Sequence, residues 1–168
     1  MRRFLVICGA TVALAACVSM APTPNTALPY VAMAGSSDQF EIQSSRTAVE
    51  RSQNADVRRY AQMLIDHHTQ TSATVIAAAR DAGMNPPPPV LMPRHAAMLR
   101  TIQAAPAGRF DAVYLAQQVP AHVEALALHQ NYAANGDTPS LRTAAATAVP
   151  IVQQHLTEAQ RMAAAMPG

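Results

Sequence analysis

Four side chains able to bind a metal ion stand near the middle of four separate helical patterns. They are Glu41, His68, His122 and His155. One carboxylate and three imidazoles on facing helices are the kind of groups from which helical bundles build transition-metal sites. The same groups could instead satisfy one another as a buried hydrogen-bond network without metal. The residues alone leave both interpretations open.

The elements that must position these groups are four long amphipathic helices. Apolar and small side chains recur at three- and four-residue spacing, with His68 in the middle of one such stripe. The predicted helices cover about residues 38–52, 55–82, 109–135 and 139–166, and residues 94–104 form a short amphipathic segment in the long crossover. The spacing predicts an all-α fold, an up-down four-helix bundle with a short extra helix between helices two and three.

The heights of the four groups follow from the helical rise. In an up-down bundle, the turn near Gln53 and the turn near Thr138 lie at the same end. At 1.5 Å per residue, the four groups then lie roughly 18 to 25 Å from that end. They should therefore meet at mid-height in the core.

Composition limits the class of protein. The chain has 168 residues and a hydrophobic fraction of 50%, which favours one domain with a real core over a disordered protein. All of its basic residues are Arg, and the part after Cys17 carries ten Arg against ten Asp and Glu. Because this net charge is zero and no basic face is present, nucleic acid is not an expected partner.

The N-terminus has the pattern of a bacterial lipoprotein signal. Arg2 and Arg3 precede a short apolar run, and Leu14-Ala15-Ala16-Cys17 resembles a lipobox, in which the Cys is lipidated and becomes the first mature residue. A plain secretory signal with a chance Cys is the alternative. We predict a signal peptide over residues 1–16, a lipidated Cys17 with a flexible tether over 17–36, and a helical domain over 37–168. Lipidation would anchor the domain on the periplasmic side of a membrane, with the outer membrane favoured over the inner.

From about Gln39 to Ala165 the chain resembles the domain of unknown function 4142 family, a ferritin-like group of bacterial envelope proteins often described as outer-membrane proteins. The matching residues are Glu41-Ile42, Ala48, Tyr60-Ala61, Leu64-Ile65, His68, Phe110-Asp111, Tyr114, His122, Gly136, Leu141, Pro150 and His155-Leu156. The resemblance implies a ferritin-like bundle and brings no established activity.

Two positions depart from the family pattern, and both remove an acid. His67 stands where an Asp usually precedes the histidine of helix two, and Ala121 stands where an acidic residue usually precedes that of helix three. Without these acids, carboxylates that orient the imidazoles are not expected at these positions. Ferritin-type oxidases use Glu-x-x-His pairs. Ile65, Val119 and Val152 occupy the corresponding places here, so a di-iron enzyme is disfavoured.

The other histidines have simpler interpretations. His129 is expected in core packing, whereas His67 and His95 are expected to be solvated. Met162 has an ordinary core position, although its thioether would suit copper.

The resulting hypothesis is a cell-envelope lipoprotein that binds a transition metal, zinc or copper rather than di-iron, through Glu41, His68, His122 and His155. The alternative is a non-catalytic structural or stress-related envelope protein whose Glu/His cluster is only a hydrogen-bond network. A non-catalytic role is favoured in either case. The membrane is the expected partner through Cys17, and the sequence identifies no protein partner.

Overall fold

The computed structural model describes residues 23–166, and this part of the chain is all-α, as predicted. It contains five α-helices, one 3-10 turn and no strand. Their bounds are α1 Ala27–Arg51, α2 Ala55–Asp81, α3 Pro93–Gln103, the 3-10 turn Ala107–Arg109, α4 Phe110–Asn135 and α5 Pro139–Ala164. The predicted signal peptide, Cys17 and the first residues of the predicted tether lie outside the described residues. None of the helices within residues 23–166 is long and apolar enough to cross a membrane.

Helix α1 begins at Ala27, about ten residues before its predicted start. The tether prediction is therefore wrong from Ala27 onwards. Pro29 does not prevent this helix, because it occupies the first turn of α1, where backbone N–H groups have no partner within the helix. Tyr30 and Ala34 on this added stretch are buried. Their packing stabilises the helix where local propensity is weak.

Helix α2 agrees with the prediction at both ends and runs unbroken through His68. The side chain of Asn54 accepts a hydrogen bond from the Asp56 N–H at 2.9 Å, which caps the start. Gly83 has a φ of 77°, and the Met84 N–H reaches back to the carbonyl of Ala79 at 3.0 Å. This geometry is a Schellman C-cap, which favours glycine because the position is left-handed.

The short turns lie at opposite ends of the molecule, so the prediction that they share an end is wrong. Helix α1 packs on α2 and α4, and α5 packs on α4 and α2. At the C-terminal end of α1, the Arg51 guanidinium donates to the carbonyls of Gln103 and Ala105 at 2.8 and 2.5 Å. At the N-terminal end, the Asp137 N–H donates to the carbonyl of Asn25 at 3.0 Å. The crossover, including α3, therefore returns the chain along the length of the helices before α4 begins.

The core has two apolar clusters with a polar layer between them. The α3 cluster includes Leu64, Ile102, Phe110 and Leu115, and the tyrosine cluster includes Tyr30, Val75, Leu128, Tyr132 and Leu141. The rings of Tyr30 and Tyr132 stack with centroids 3.8 Å apart. The polar layer consists of Asp38, Glu41, His68, Gln118, His122 and His155, all buried.

Candidate metal centre

Three imidazoles from three helices meet in the polar layer. His68 of α2, His122 of α4 and His155 of α5 each have a relative exposure of 1% or less. Each offers one ring nitrogen, and these nitrogens lie within 4.8 Å of one another. The ring centroids are 5.1 to 5.6 Å apart. Because each residue lies near the middle of a helix of similar length, the three meet whichever way the helices run.

Two of the three imidazoles are held by buried hydrogen bonds through Nδ1. His68 Nδ1 is 2.8 Å from Asp38 Oδ1, and His122 Nδ1 is 2.9 Å from the carbonyl oxygen of Gln118. Both partners are acceptors, so a neutral ring carries its proton on Nδ1 and a lone pair on Nε2. Both Nε2 atoms are buried and have no hydrogen-bond partner among the described residues. This arrangement is typical of histidines that bind a metal through one nitrogen and are oriented through the other.

The third imidazole, that of His155, is hydrogen-bonded through Nε2 instead of Nδ1. His155 Nε2 is 2.8 Å from His67 Nδ1, and the two rings stack with centroids 5.1 Å apart. In the tautomer in which His155 Nε2–H donates to His67, Nδ1 of His155 keeps its lone pair. That Nδ1 is the buried ring nitrogen of His155 without a partner. Each member of the triad therefore has one hydrogen-bonded nitrogen and one free nitrogen.

Asp38 is a residue of the candidate site that the sequence analysis did not identify. The predicted helix begins at about this residue, but Asp38 lies inside α1 and is 3% exposed. Thr71 Oγ1 also donates to its Oδ1, at 3.2 Å. Asp38 lies one helical turn before Glu41, so the i, i+3 spacing of two acids on one face was the available signal. Asp38 therefore gives His68 the carboxylate partner that position 67, occupied by His, does not supply.

Glu41 lies beside the triad rather than within its group of ring nitrogens. Its Oε1 is 3.6 Å from His122 Nδ1, which is too long for a hydrogen bond. Glu41 is fully buried, and both of its carboxylate oxygens are without partners among the described residues. Burial, followed by the nearby charge of Asp38, raises the pKa of Glu41 well above its usual value. A bound cation would be the natural partner for its ionised form.

The electrostatics of the layer favour neutral imidazoles. Burial is the main cause that lowers the pKa of His122 to about 3 and that of His155 to about 2, and the neighbouring His68 contributes to both shifts. At neutral pH both rings are therefore uncharged. Neutral imidazole is the form that binds metals, so burial keeps these two side chains in the form that could bind an ion.

The donor set and its geometry fit a nitrogen-rich metal site. With metal–nitrogen bonds of about 2.0 Å, a tetrahedral zinc site holds its nitrogens about 3.3 Å apart. The three nitrogens lie within 4.8 Å of one another. Small side-chain rotations would close this difference. Imidazole ligands suit zinc and copper, whereas a di-iron site needs bridging carboxylates.

The remaining histidines divide between confirmed and corrected predictions. His129 lies in the core as expected, 2% exposed, with Nδ1 3.1 Å from the Tyr30 hydroxyl. His67 and His95 were expected to be solvated, and both are only partly exposed. His67 bonds to His155, whereas Nδ1 of His95 on α3 is 2.7 Å from Ser36 Oγ. Both contacts join residues distant in sequence, so helical periodicity could not indicate them.

Comparison with known protein families gives a match that covers most of the chain. A family model described as "Domain of unknown function (DUF4142)" matches residues 14–162. The chain belongs to the DUF4142 family. The resemblance noted from Glu41, His68, His122 and His155 is thereby confirmed for this DUF4142 protein. No curated protein matches its sequence significantly.

A solved structure shares the fold of this DUF4142 domain. It is described as "CopM in the Cu(II)-bound form", with a TM-score of 0.71 and 16% sequence identity. The match covers 83% of this chain and 96% of that chain. At this identity the likeness shows a common helical fold and nothing about shared ligands.

Proposed function

We propose that this DUF4142 domain binds one transition-metal ion, copper or zinc, through His68, His122 and His155. The observation that carries the proposal is a cluster of three buried imidazoles. Each has one ring nitrogen without a hydrogen-bond partner among the described residues, and each offers a ring nitrogen within 4.8 Å of the other two. Leaving three such atoms unpaired would cost several kcal/mol in the folded protein. A metal ion would satisfy all three at once. Glu41 is the proposed fourth ligand, because its carboxylate is fully buried beside the triad. Its Oε1 lies on the Nδ1 side of His122, so the side chain would have to rotate to reach the ion.

The alternative of a metal-free hydrogen-bond network receives less support from the same atoms. A network would require Glu41 and the three imidazoles to donate to and accept from one another. Within residues 23–166, neither oxygen of Glu41 has a hydrogen-bond partner, and the free nitrogens of the triad do not bond to each other. The hydrogen bonds that do exist run outwards, to Asp38, Gln118 and His67. This pattern favours an ion at the centre.

Copper is the first metal to test, and binding rather than catalysis is the proposed role. The solved structure of similar fold is described as bound to Cu(II). That description concerns the other protein, but it identifies an ion that this type of helical fold can accommodate. The group of ring nitrogens contains no carboxylate oxygen. This supports zinc or copper over di-iron.

We further infer that the domain is a ferritin-like four-helix bundle held at the cell envelope by a lipid on Cys17. Four long helices in mutual contact, with one long crossover after the second, support the bundle. The lipobox-like Leu14-Ala15-Ala16-Cys17 supports the anchor and the periplasmic side of the membrane, with the outer membrane favoured.

Thermal unfolding with metal analysis tests the site. The mature protein, stripped with a chelator and then titrated with Cu²⁺ or Zn²⁺, should bind one equivalent and melt at a higher temperature. At a free metal concentration 100 times Kd, the gain is about 2.7 kcal/mol. His68→Ala should lose both the bound metal and the gain, whereas the control His95→Ala, outside the triad, should keep both. A wild type that binds no ion and melts identically with and without metal would leave only the structural alternative.

Membrane fractionation tests the anchor separately. Cys17→Ser should move the protein from the membrane fraction to the soluble periplasmic fraction, because the acyl chains are lost. Mass spectrometry of the wild type should show an acylated N-terminal Cys17. A soluble wild type with an unmodified cysteine contradicts the lipoprotein prediction.

A further inference from the structure

The three imidazoles of the proposed metal site differ in how close their hydrogen-bond partners lie to solvent. Asp38, which holds His68, is 3% exposed, and Gln118, whose carbonyl holds His122, is fully buried. His67, which holds His155, is partly exposed on α2. Towards α1 and α4, the hydrogen bonds of the triad therefore end on buried residues. On the side of α2 and α5, they end on a residue that reaches the protein surface.

His67 also differs chemically from the other two partners. A carboxylate or a carbonyl prefers hard cations, whereas imidazole binds copper and zinc well. Its Nδ1 is 2.8 Å from Nε2 of His155, and the two rings stack at an interplanar angle of 20°. His155 thus has one nitrogen directed to a partly exposed imidazole and another, Nδ1, without a partner among the described residues. In the tautomer in which Nε2–H donates to His67, Nδ1 carries the lone pair, so His155 can bind an ion through that nitrogen.

A thioether lies near His67. Met63 is partly buried against the α3 cluster and lines an open groove of about 530 Å³ between α2 and α5. The lining of this groove also includes Gln154 and four charged side chains, those of Asp56, Arg59, Glu158 and Arg161. Met63 lies one helical turn before His67 on α2, so the thioether and the imidazole share a face of the helix. Gln154 directly precedes His155. Thioether and imidazole together favour copper over harder cations.

We propose that His67 is the access ligand of the metal centre, which captures the ion at the α2–α5 surface and passes it to the buried triad. The proposal rests on the metal binding proposed above. In the metal-free protein, His67 Nδ1 accepts the hydrogen bond from His155 Nε2–H. When an ion arrives, His67 exchanges this hydrogen bond for the metal and turns towards solvent. His155 would then receive the ion on Nδ1, the ring nitrogen that carries no proton, and share it with His68 and His122.

Uptake kinetics of the mature protein test this role. Chelator-buffered Cu²⁺ is mixed with the metal-free protein, and uptake is followed by quenching of the fluorescence of its Tyr residues, since the chain has no Trp. The variant His67→Gln retains a side-chain oxygen that can accept from His155 Nε2–H, but it loses the imidazole. We expect one equivalent of copper at equilibrium, with uptake and release each slowed about tenfold or more. The control His95→Gln, which changes a partly exposed histidine bonded to Ser36, should keep the wild-type rates.

A second variant separates capture from simple covering of the site. His67→Ala removes both the imidazole and the hydrogen-bond acceptor, so its equilibrium affinity should fall by about 10- to 100-fold. Its uptake should remain slow, because the capturing ligand is gone. Faster uptake in His67→Ala would show that His67 only covers the triad, and wild-type rates in His67→Gln would likewise overturn the proposal. If the wild type itself takes up no metal, the proposed function fails with it; if the wild type binds one equivalent, only the role of His67 is at stake.

Discussion

The two apolar clusters and the polar layer between them differ in whether their buried polar atoms have hydrogen-bond partners. In the α3 cluster and the tyrosine cluster, buried groups are apolar or, like the Tyr60 hydroxyl, have a hydrogen-bond partner. In the polar layer, Glu41, Asp38, Gln118 and the three histidines all keep a buried polar atom without a partner among the described residues. Unpaired polar atoms reduce stability, and in the part of the chain that the structure describes, only those of Ser37 and Asp111 lie outside this layer. The difference indicates that the apolar ends provide stability, and it supports the proposal that the middle binds a metal ion.

The largest expected effect comes from weakening an apolar end. Leu64 is fully buried in the α3 cluster, whereas Leu28 of α1 is 57% exposed. Leu64→Ala should lower the free energy of unfolding by about 3 kcal/mol, since it removes buried methyl groups and leaves a cavity. Leu28→Ala should change it by less than about 0.5 kcal/mol. Chemical denaturation of both variants measures the difference, and similar losses would show that the apolar ends do not dominate stability.

A smaller effect should appear at His129, a buried histidine that has a partner. Burial lowers its pKa to about 4. The unfolded chain titrates near 6.5, so between these values the unfolded state binds a proton that the folded state does not. Stability is thus lost as pH falls from about 6.5 towards 4, and His129 should account for about 2 kcal/mol of the loss between pH 7 and pH 5.

His129→Gln isolates this contribution. The metal-free variant should lose about 2 kcal/mol less than the wild type between pH 7 and pH 5, measured by denaturation in the presence of chelator. Its stability at pH 7 serves as the internal reference, because the substitution also changes the bond to Tyr30. An identical pH dependence in both proteins would mean that the pKa of His129 is the same in the folded and unfolded states.

The smallest expected effect has the opposite sign and concerns the polar layer. The carboxylate of Glu41 is fully buried, and its two oxygens have no hydrogen-bond partner within residues 23–166. Glu41→Leu replaces it by an apolar side chain of similar size. The metal-free protein should become more stable by about 1 kcal/mol, while its metal affinity falls. The control Glu50→Leu changes an exposed carboxylate of the same helix and should do neither. A destabilised Glu41→Leu protein would show that this carboxylate serves the fold.

The sequence by itself determined the helices and the level at which the polar groups meet. Three- and four-residue periodicity depends on the chain alone, so α2 and the short α3 were predicted almost to their ends. His68, His122 and His155 lie close to the middle of their helices. A midpoint stays at mid-height whether a helix runs up or down. The predicted meeting therefore survived a wrong assumption about which end holds the turn near Thr138.

Tertiary structure decided the direction of the chain, the start of α1 and the partners of the imidazoles. A crossover of more than twenty residues can return to either end of the domain, so local pattern does not determine which end it reaches. The first turn of α1 is stabilised by burial of Tyr30, a contact with α4 that local propensity does not report. The bonds from Asp38 to His68 and from His67 to His155 join different helices. Such pairs depend on how the helices are rotated against one another, and that rotation is determined only when the whole core packs.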